Sequence, residues 1–261
     1  MRRRRLVHAV ALALALALGS GGAAATEVRL LSAGAVEIGL TPVLAAFERE
    51  TGHRVSVAFA AAPALAARFA AGPTYDAIIA PPAVLDALQA SGAIRAERVP
   101  VGKVGIGIAV RPGVPVPEVG DVAALKRELL AADSVVFNRA STGLYFETLL
   151  GRLGLADAVN AKASRHPDGA SVMKHLLASR VPREIGFGAI TEIVLFKDQG
   201  LRLVGPLPAE VQNHTSYLAS AGAAPPAEAA RADAAAALLR FLGSPQARII
   251  FAGVGIEAAG P

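Results

Sequence analysis

The chain has 261 residues, no cysteine and no tryptophan, which excludes disulfides, thiolate metal sites and a cysteine nucleophile. Its 26 basic residues exceed its 21 acidic ones, but four of the basic residues are Arg2 to Arg5; without them 22 face 21, a formal charge of +1, and a nucleic-acid partner has no compositional support. A chain this long buries a large core in one or two lobes without covalent staples.

Arg2 to Arg5, the apolar run Leu6 to Leu18 and the small residues Gly19 to Ala25 have the three parts of an export signal, with the cut expected after Ala25. Residues 1–25 are thus read as a signal peptide and the mature protein as periplasmic. The apolar run is short for a membrane span, which makes an uncleaved anchor the lesser reading. No serine precedes the arginine pair, yet Sec and twin-arginine export both stay open.

Val28 to Leu31 predicts a strand, Ser32-Ala33-Gly34-Ala35-Val36 a turn, and Leu40, Val43, Leu44 and Phe47 the apolar stripe of a helix that runs to Gly52. A turn that opens a helix aims free N–H groups at whatever lies above it, so this segment is a candidate anion cradle. A strand over Arg54 to Phe59, a helix over Pro63 to Ala71, a strand over Tyr75 to Ala80 and a helix from Pro82 to near Gly92 complete three strand–helix units. Val104 to Val110 is a further strand, followed by a proline-rich loop and a helix capped by Asp121 that buries Val122, Leu125 and Leu129.

Ser134 to Phe137 predicts a strand, and Ala140-Ser141-Thr142-Gly143 opens a helix carrying Phe146, Leu149, Leu150 and Leu153. Gly169-Ala170-Ser171 opens another helix, Glu184 to Gly188 is a buried strand running into Ala189-Ile190-Thr191, and Arg202 to Val204 and Val211 to Ala219 are extended. Helices over Glu228 to Leu242 and after Ser244-Pro245 close the chain. The alternation predicts an α/β fold of two lobes, each a mostly parallel sheet flanked by helices, with a ligand cleft between them. Lobe 1 is residues 27–106 plus 218–261, and lobe 2 is residues 107–217.

Several segments together resemble the periplasmic molybdate-binding proteins of ABC importers, within the two-lobed periplasmic binding protein fold. They are Leu31-Ser32-Ala33-Gly34-Ala35, Phe47-Glu48-Arg49-Glu50-Thr51-Gly52, Ser141-Thr142-Gly143-Leu144-Tyr145, Glu184-Ile185-Gly186-Phe187-Gly188, and Phe241-Leu242-Gly243-Ser244-Pro245-Gln246-Ala247. The resemblance implies a solute-binding component that holds a small oxyanion such as molybdate or tungstate, closes, and delivers it to a membrane permease. It implies a monomer with no cofactor, no metal of its own and no enzymatic activity.

Carried over by motif, the ligand turns fall at Ala33 to Val36, Ala60 to Pro63, Ser141 to Thr142, Ala170 to Ser171 and Ala189 to Thr191. The candidate ligand residues are Gly34, Ala35, Ala61, Ala62, Ser141, Thr142, Ser171, Ala189 and Thr191, with Ser32 at the end of the first strand. Arg139 is a candidate fork for a carboxylate. Family serines are replaced by Gly34-Ala35 and by Ala61-Ala62-Pro63, and a family tyrosine by Ala189, so a small organic acid is the alternative ligand. Glu37 lies near the first turn and is expected to face out or to pair with a base. An exported enzyme is the remote alternative: there is no HExxH, and Ser32 and Ser141 lack the first glycine of a nucleophile elbow.

Overall fold

The computed structural model describes residues 25–71, 75–223 and 229–258. Residues 1–24 of the expected export signal, and Glu228, the expected start of the last long helix, lie outside the described residues. Strand β1 (Glu27–Ala33) lies between β2 (Arg54–Ala60) and β3 (Ala77–Ala80) and is parallel to both. Val28, Leu30 and Leu31 are fully buried, as a strand covered on both faces requires.

The chain leaves β1 through one 3₁₀ turn, Gly34–Val36, directly into α1 (Glu37–Thr51). Helix α1 buries the predicted stripe of Leu40, Val43, Leu44 and Phe47. It stops at Gly52, whose φ of 73° is left-handed and whose N–H reaches the Glu48 carbonyl. Helices α2 (Ala62–Ala70) and α3 (Pro82–Ala90) follow β2 and β3, each with a proline in its first two positions, where the missing N–H is harmless.

Strand β4 (Val99–Val110) begins at Val99 rather than at the expected Val104. Helix α4 (Val122–Ala131) is capped by Asp121, whose Oδ1 accepts from the Ala124 N–H at 2.7 Å. Then come β5 (Ser134–Asn138), α5 (Ser141–Arg152), α6 (Ala156–Asn160), β6 (Ala163–His166), α7 (Gly169–Ala178), β7 (Glu184–Ala189), α8 (Ile190–Leu195) and β8 (Arg202–Pro206). Strand β9 (His214–Ala221) leads back to α9 (Ala229–Leu242) and α10 (Pro245–Ala252). Sequence periodicity did not point to α6 or β6, the one being five residues long and the other lacking any β-branched residue.

The strands form one path, β2-β1-β3-β9-β4-β7-β5-β6, with β8 paired to β4. The parallel pairs are β1 with β2 and β3, and β5 with β6 and β7; every pairing made by β4 or β9 is antiparallel. The first half of β4 runs beside β9 and its second half beside β7 and β8, so these long strands join two α/β units. Leu30, Phe47, Ile79, Leu238, Leu242 and Phe251 share one apolar core. In the other unit, Phe137, Phe146 and Phe187 fill one face of the sheet while Val136, Val172, Met173 and Ile193 fill the opposite face. The two-lobed periplasmic binding fold expected from the sequence is what these elements build.

Candidate functional site

Parallel strands direct their carboxyl ends, and the helices that follow them, toward one side of a sheet. Here the ends of β1, β2, β5 and β7 and the starts of α2, α5 and α7 face one another across a pocket of about 130 Å³. Tyr217 enters it from the crossing strand β9, and Glu192 from α8.

Among the residues expected from the sequence, Gly34, Ala35, Ala61, Ala62, Ser141, Thr142 and Ala189 line this pocket; Ser32, Arg139, Ser171 and Thr191 do not. Ser32 is fully buried in β1, and its hydroxyl donates to the Ala33 carbonyl at 3.2 Å. Arg139 is exposed on the turn after β5. Ser171 serves the cap of α7, its N–H donating to Asp168 Oδ1 at 2.7 Å. The Thr191 hydroxyl donates to the Ala35 carbonyl at 2.5 Å and so fastens α8 to the first turn. Thr191→Val keeps the shape and removes that bond, leaving a buried carbonyl unpaired; a loss of about 1–2 kcal/mol in urea unfolding is expected, against a near-neutral Thr191→Ser.

The start of α5 is organised by Asn138, which is buried at the end of β5. Its Oδ1 accepts from the N–H groups of Ala140 and Gly143 at 2.9 and 3.1 Å, and its Nδ2 donates to the Thr142 hydroxyl at 2.8 Å. The expected hydroxyl donor Thr142 is therefore already engaged. Among the described residues the Ser141 hydroxyl has no protein partner, and the opening N–H groups at Ser141 and Thr142 have no acceptor within their own helix. At α7 the Asp168 cap satisfies the Ser171 N–H and leaves those of Gly169 and Ala170 beside the pocket.

The electrostatics of the pocket differ from those of a simple oxyanion cradle. Among the described residues no lysine, arginine or histidine lines it, whereas Asp168 and Glu192 do. The Glu192 carboxyl rests between Gly34 of the first turn and Gly169 of α7: a Cβ built on Gly169 would fall 1.9 Å from Glu192 Oε2, and one on Gly34 3.3 Å from Oε1. Burial pushes Glu192 up to about 7, the charges of Asp168 and Glu37 add to the rise, and a hydrogen bond from the Ala189 backbone opposes it. That last bond is half of a capping box, with the third residue of α8 reaching back to the residue that caps it. Burial and the Glu192 charge likewise raise the Tyr217 phenol, which stays protonated as a donor, although a hydrogen bond with Thr215 opposes the rise. Glu37, expected to face out or find a base, is instead half-buried and forms no ion pair among the described residues; burial raises its carboxyl too.

Asp168, Glu192, Asn138 and Tyr217 are the polar lining residues that sequence reading did not nominate. Asp168 carried a signal, an acidic residue three before Ser171 at a helix start. Glu192 carried a weaker one, as an acid in the first turn of a helix, which reads as capping before it reads as chemistry. Tyr217 carried none, because only the pairing of Gly102 with Tyr217 in the crossing strands brings it to the pocket. Among the described residues no cluster of three or more His, Cys, Asp or Glu is placed to hold a metal ion, and no helix is long and apolar enough to cross a membrane.

Comparison with known proteins agrees with this architecture. A curated relative from Pseudomonas sp., named aconitate isomerase, is 30% identical over 234 residues, covering 85% of this chain and 84% of the relative. The periplasmic molybdate-binding protein of Azotobacter vinelandii superposes with a TM-score of 0.72 at 16% identity, covering 90% of this chain and 99% of its own. L-phospholactate-bound PEB3, a protein whose structure is also known from Campylobacter jejuni, superposes with a TM-score of 0.69 at 16% identity, covering 89% of this chain and 100% of its own. At such identities the two structures share the fold. A family model described as bacterial extracellular solute-binding protein matches residues 28–257, and the chain belongs to that family.

Proposed function

We propose that the cleft captures a small organic acid with more than one carboxylate, of the aconitate class, in the periplasm. The observation that carries this reading is the composition of the pocket: helix N-termini and the Ser141 hydroxyl on some sides, a wall of alanines with Phe59 and Pro81 on others, and two carboxyls with no cation. A molybdate or tungstate dianion is oxygen on every side and needs donors all round. Against an ionised Glu192 it would also meet a repulsion of about 4 kcal/mol for each unit of its charge at 4 Å and an effective dielectric constant of 20. A polycarboxylate presents oxygens to the N–H groups and carbon to the alanines, and a protonated Glu192 can donate to it.

The relative that acts on aconitate supports the ligand class. It also favours a second reading, in which the acid is rearranged in the cleft as well as held there. As a carrier, the protein closes lobe 1 (27–106 plus 218–261) on lobe 2 (107–217) and hands the acid as a monomer to an ABC permease.

Thermal shift with purified protein tests the ligand class, setting aconitate, citrate and simple dicarboxylates against molybdate, tungstate and sulfate. A ligand at a thousand times its Kd stabilises by about 4 kcal/mol. The expected result is a clear rise in Tm with a polycarboxylate and none with the oxyanions. A rise with molybdate or tungstate alone would return the protein to the oxyanion carriers.

A further inference from the structure

We propose that Glu192 is the acid–base residue of a proton transfer on the bound acid, one that moves its carbon–carbon double bond by one position. This rests on the organic-acid reading and goes beyond it, since a carrier needs no such step.

A carboxyl beside an anion site, with no basic side chain at ion-pair distance among the described residues, weakens the capture of anions. Alanine in its place would bind anions better. Its presence is understood if it carries a proton. The other polar lining groups are unsuited to that task. Asp168 is tied to the cap of α7, Thr142 to Asn138, and Tyr217 holds its proton. The Glu192 carboxyl, by contrast, is seated against two glycines, and a side chain at Gly169 would occupy its place. The rise of its pKa toward 7 puts the carboxylate and the acid at comparable populations near neutrality, which suits a group that must both take and return a proton.

In an unsaturated tricarboxylate of the aconitate kind, a CH₂ group lies between the double bond and a carboxylate. The Glu192 carboxylate takes one proton from that carbon. The C–H bond breaks, its electron pair becomes a new double bond to the central carbon, and the former double-bond pair moves toward the conjugated carboxylate. Free N–H groups at the starts of α5 and α7 face the charge that builds there. The protonated Glu192 then returns its proton to the far allylic carbon, forming a C–H bond and leaving a shifted double bond. Nothing is oxidised or reduced, and no co-reactant is consumed.

The test follows trans-aconitate with the purified protein in D₂O by proton NMR. Wild type is expected to place deuterium on the allylic carbons and to form the cis isomer faster than the protein-free control. Glu192→Gln keeps an acceptor for the Ala189 N–H and removes the base; it should still show a thermal shift with the acid while exchange falls a hundredfold or more. Glu192→Asp should retain a reduced rate. The wild-type rate should rise with pH through an apparent pKa near 7, with Asp168, Glu37 and Tyr217 the titratable groups acting on Glu192 from α7, α1 and β9. Stabilisation by aconitate without exchange overturns the proposal and leaves the organic-acid reading standing. Stabilisation by no carboxylate overturns both. Exchange undiminished in Glu192→Gln also overturns the proposal, and should that variant fail to fold, a wild-type rate flat from pH 5 to 9 does so.

Discussion

Gly143→Ala is expected to destabilise the protein by about 3 kcal/mol and to abolish ligand-dependent stabilisation. A Cβ at this position would sit 1.6 Å from the Asn138 carbonyl oxygen and 2.6 Å from its carbon. Both are backbone atoms of β5, which cannot turn aside as the end of a flexible side chain could. Helix α5 would have to move away from the strand, breaking the bonds from Ala140 and Gly143 to Asn138 Oδ1 and from Asn138 to Thr142. Overpacking a tight contact typically costs 1–3 kcal/mol, and the lost hydrogen bonds add to that. Urea unfolding reads the first effect, and thermal shift with and without acid reads the second. Gly151→Ala on the exposed side of the same helix, where no atom stands within 4 Å, should be neutral or slightly stabilising.

Glu192→Gln is expected to stabilise the free protein by on the order of 3 kcal/mol at pH 8 and to change little at pH 4. The sign follows from linkage. A carboxyl raised from an ordinary 4.5 to about 7 holds its proton more tightly in the folded state. Its favourable contribution is complete below about 4.5 and is lost as pH rises toward 7, because the folded protein must then hold a buried, unpaired charge. Glutamine never ionises, so the gap between variant and wild type should open across that window and level off above it. Melting curves from pH 4 to 8.5 check the shape. A constant offset would mean that Glu192 ionises as it does in the unfolded chain.

The strands and helices with strong apolar periods were legible in the sequence. Val28 to Leu31, the stripe from Leu40 to Phe47 and the Asp121 cap all sit where their residue types put them. Strand β6 was not legible, because Ala163-Ser164-Arg165-His166 has no strand preference and takes its extended form by pairing with β5. For the site, sequence showed which turns converge, since small residues at strand–helix junctions mark them. It did not show which hydroxyls remain free. Ser32, Thr142 and Thr191 look alike as donors by residue type, yet each is bonded inside the protein, to Ala33, Asn138 and Ala35 respectively, and only the folded structure reveals it. Glu192 and Asp168 do not stand out by residue type for a physical reason: an anion cradle is built of donors, and carboxylates are acceptors.

The antiparallel pairing of β4 with β9 bears on how the two halves can part. Separate flexible links would let one half slide, twist or swing relative to the other. Here the links are a hydrogen-bonded ribbon, with Lys103 opposite Ser216 and Val104 opposite Thr215. A ribbon resists sliding, because sliding would break its ladder, but it flexes readily across its width. Entry and exit of a ligand should therefore follow a single swinging coordinate, and Tyr217, being part of the ribbon, changes its angle to the pocket with every degree of opening.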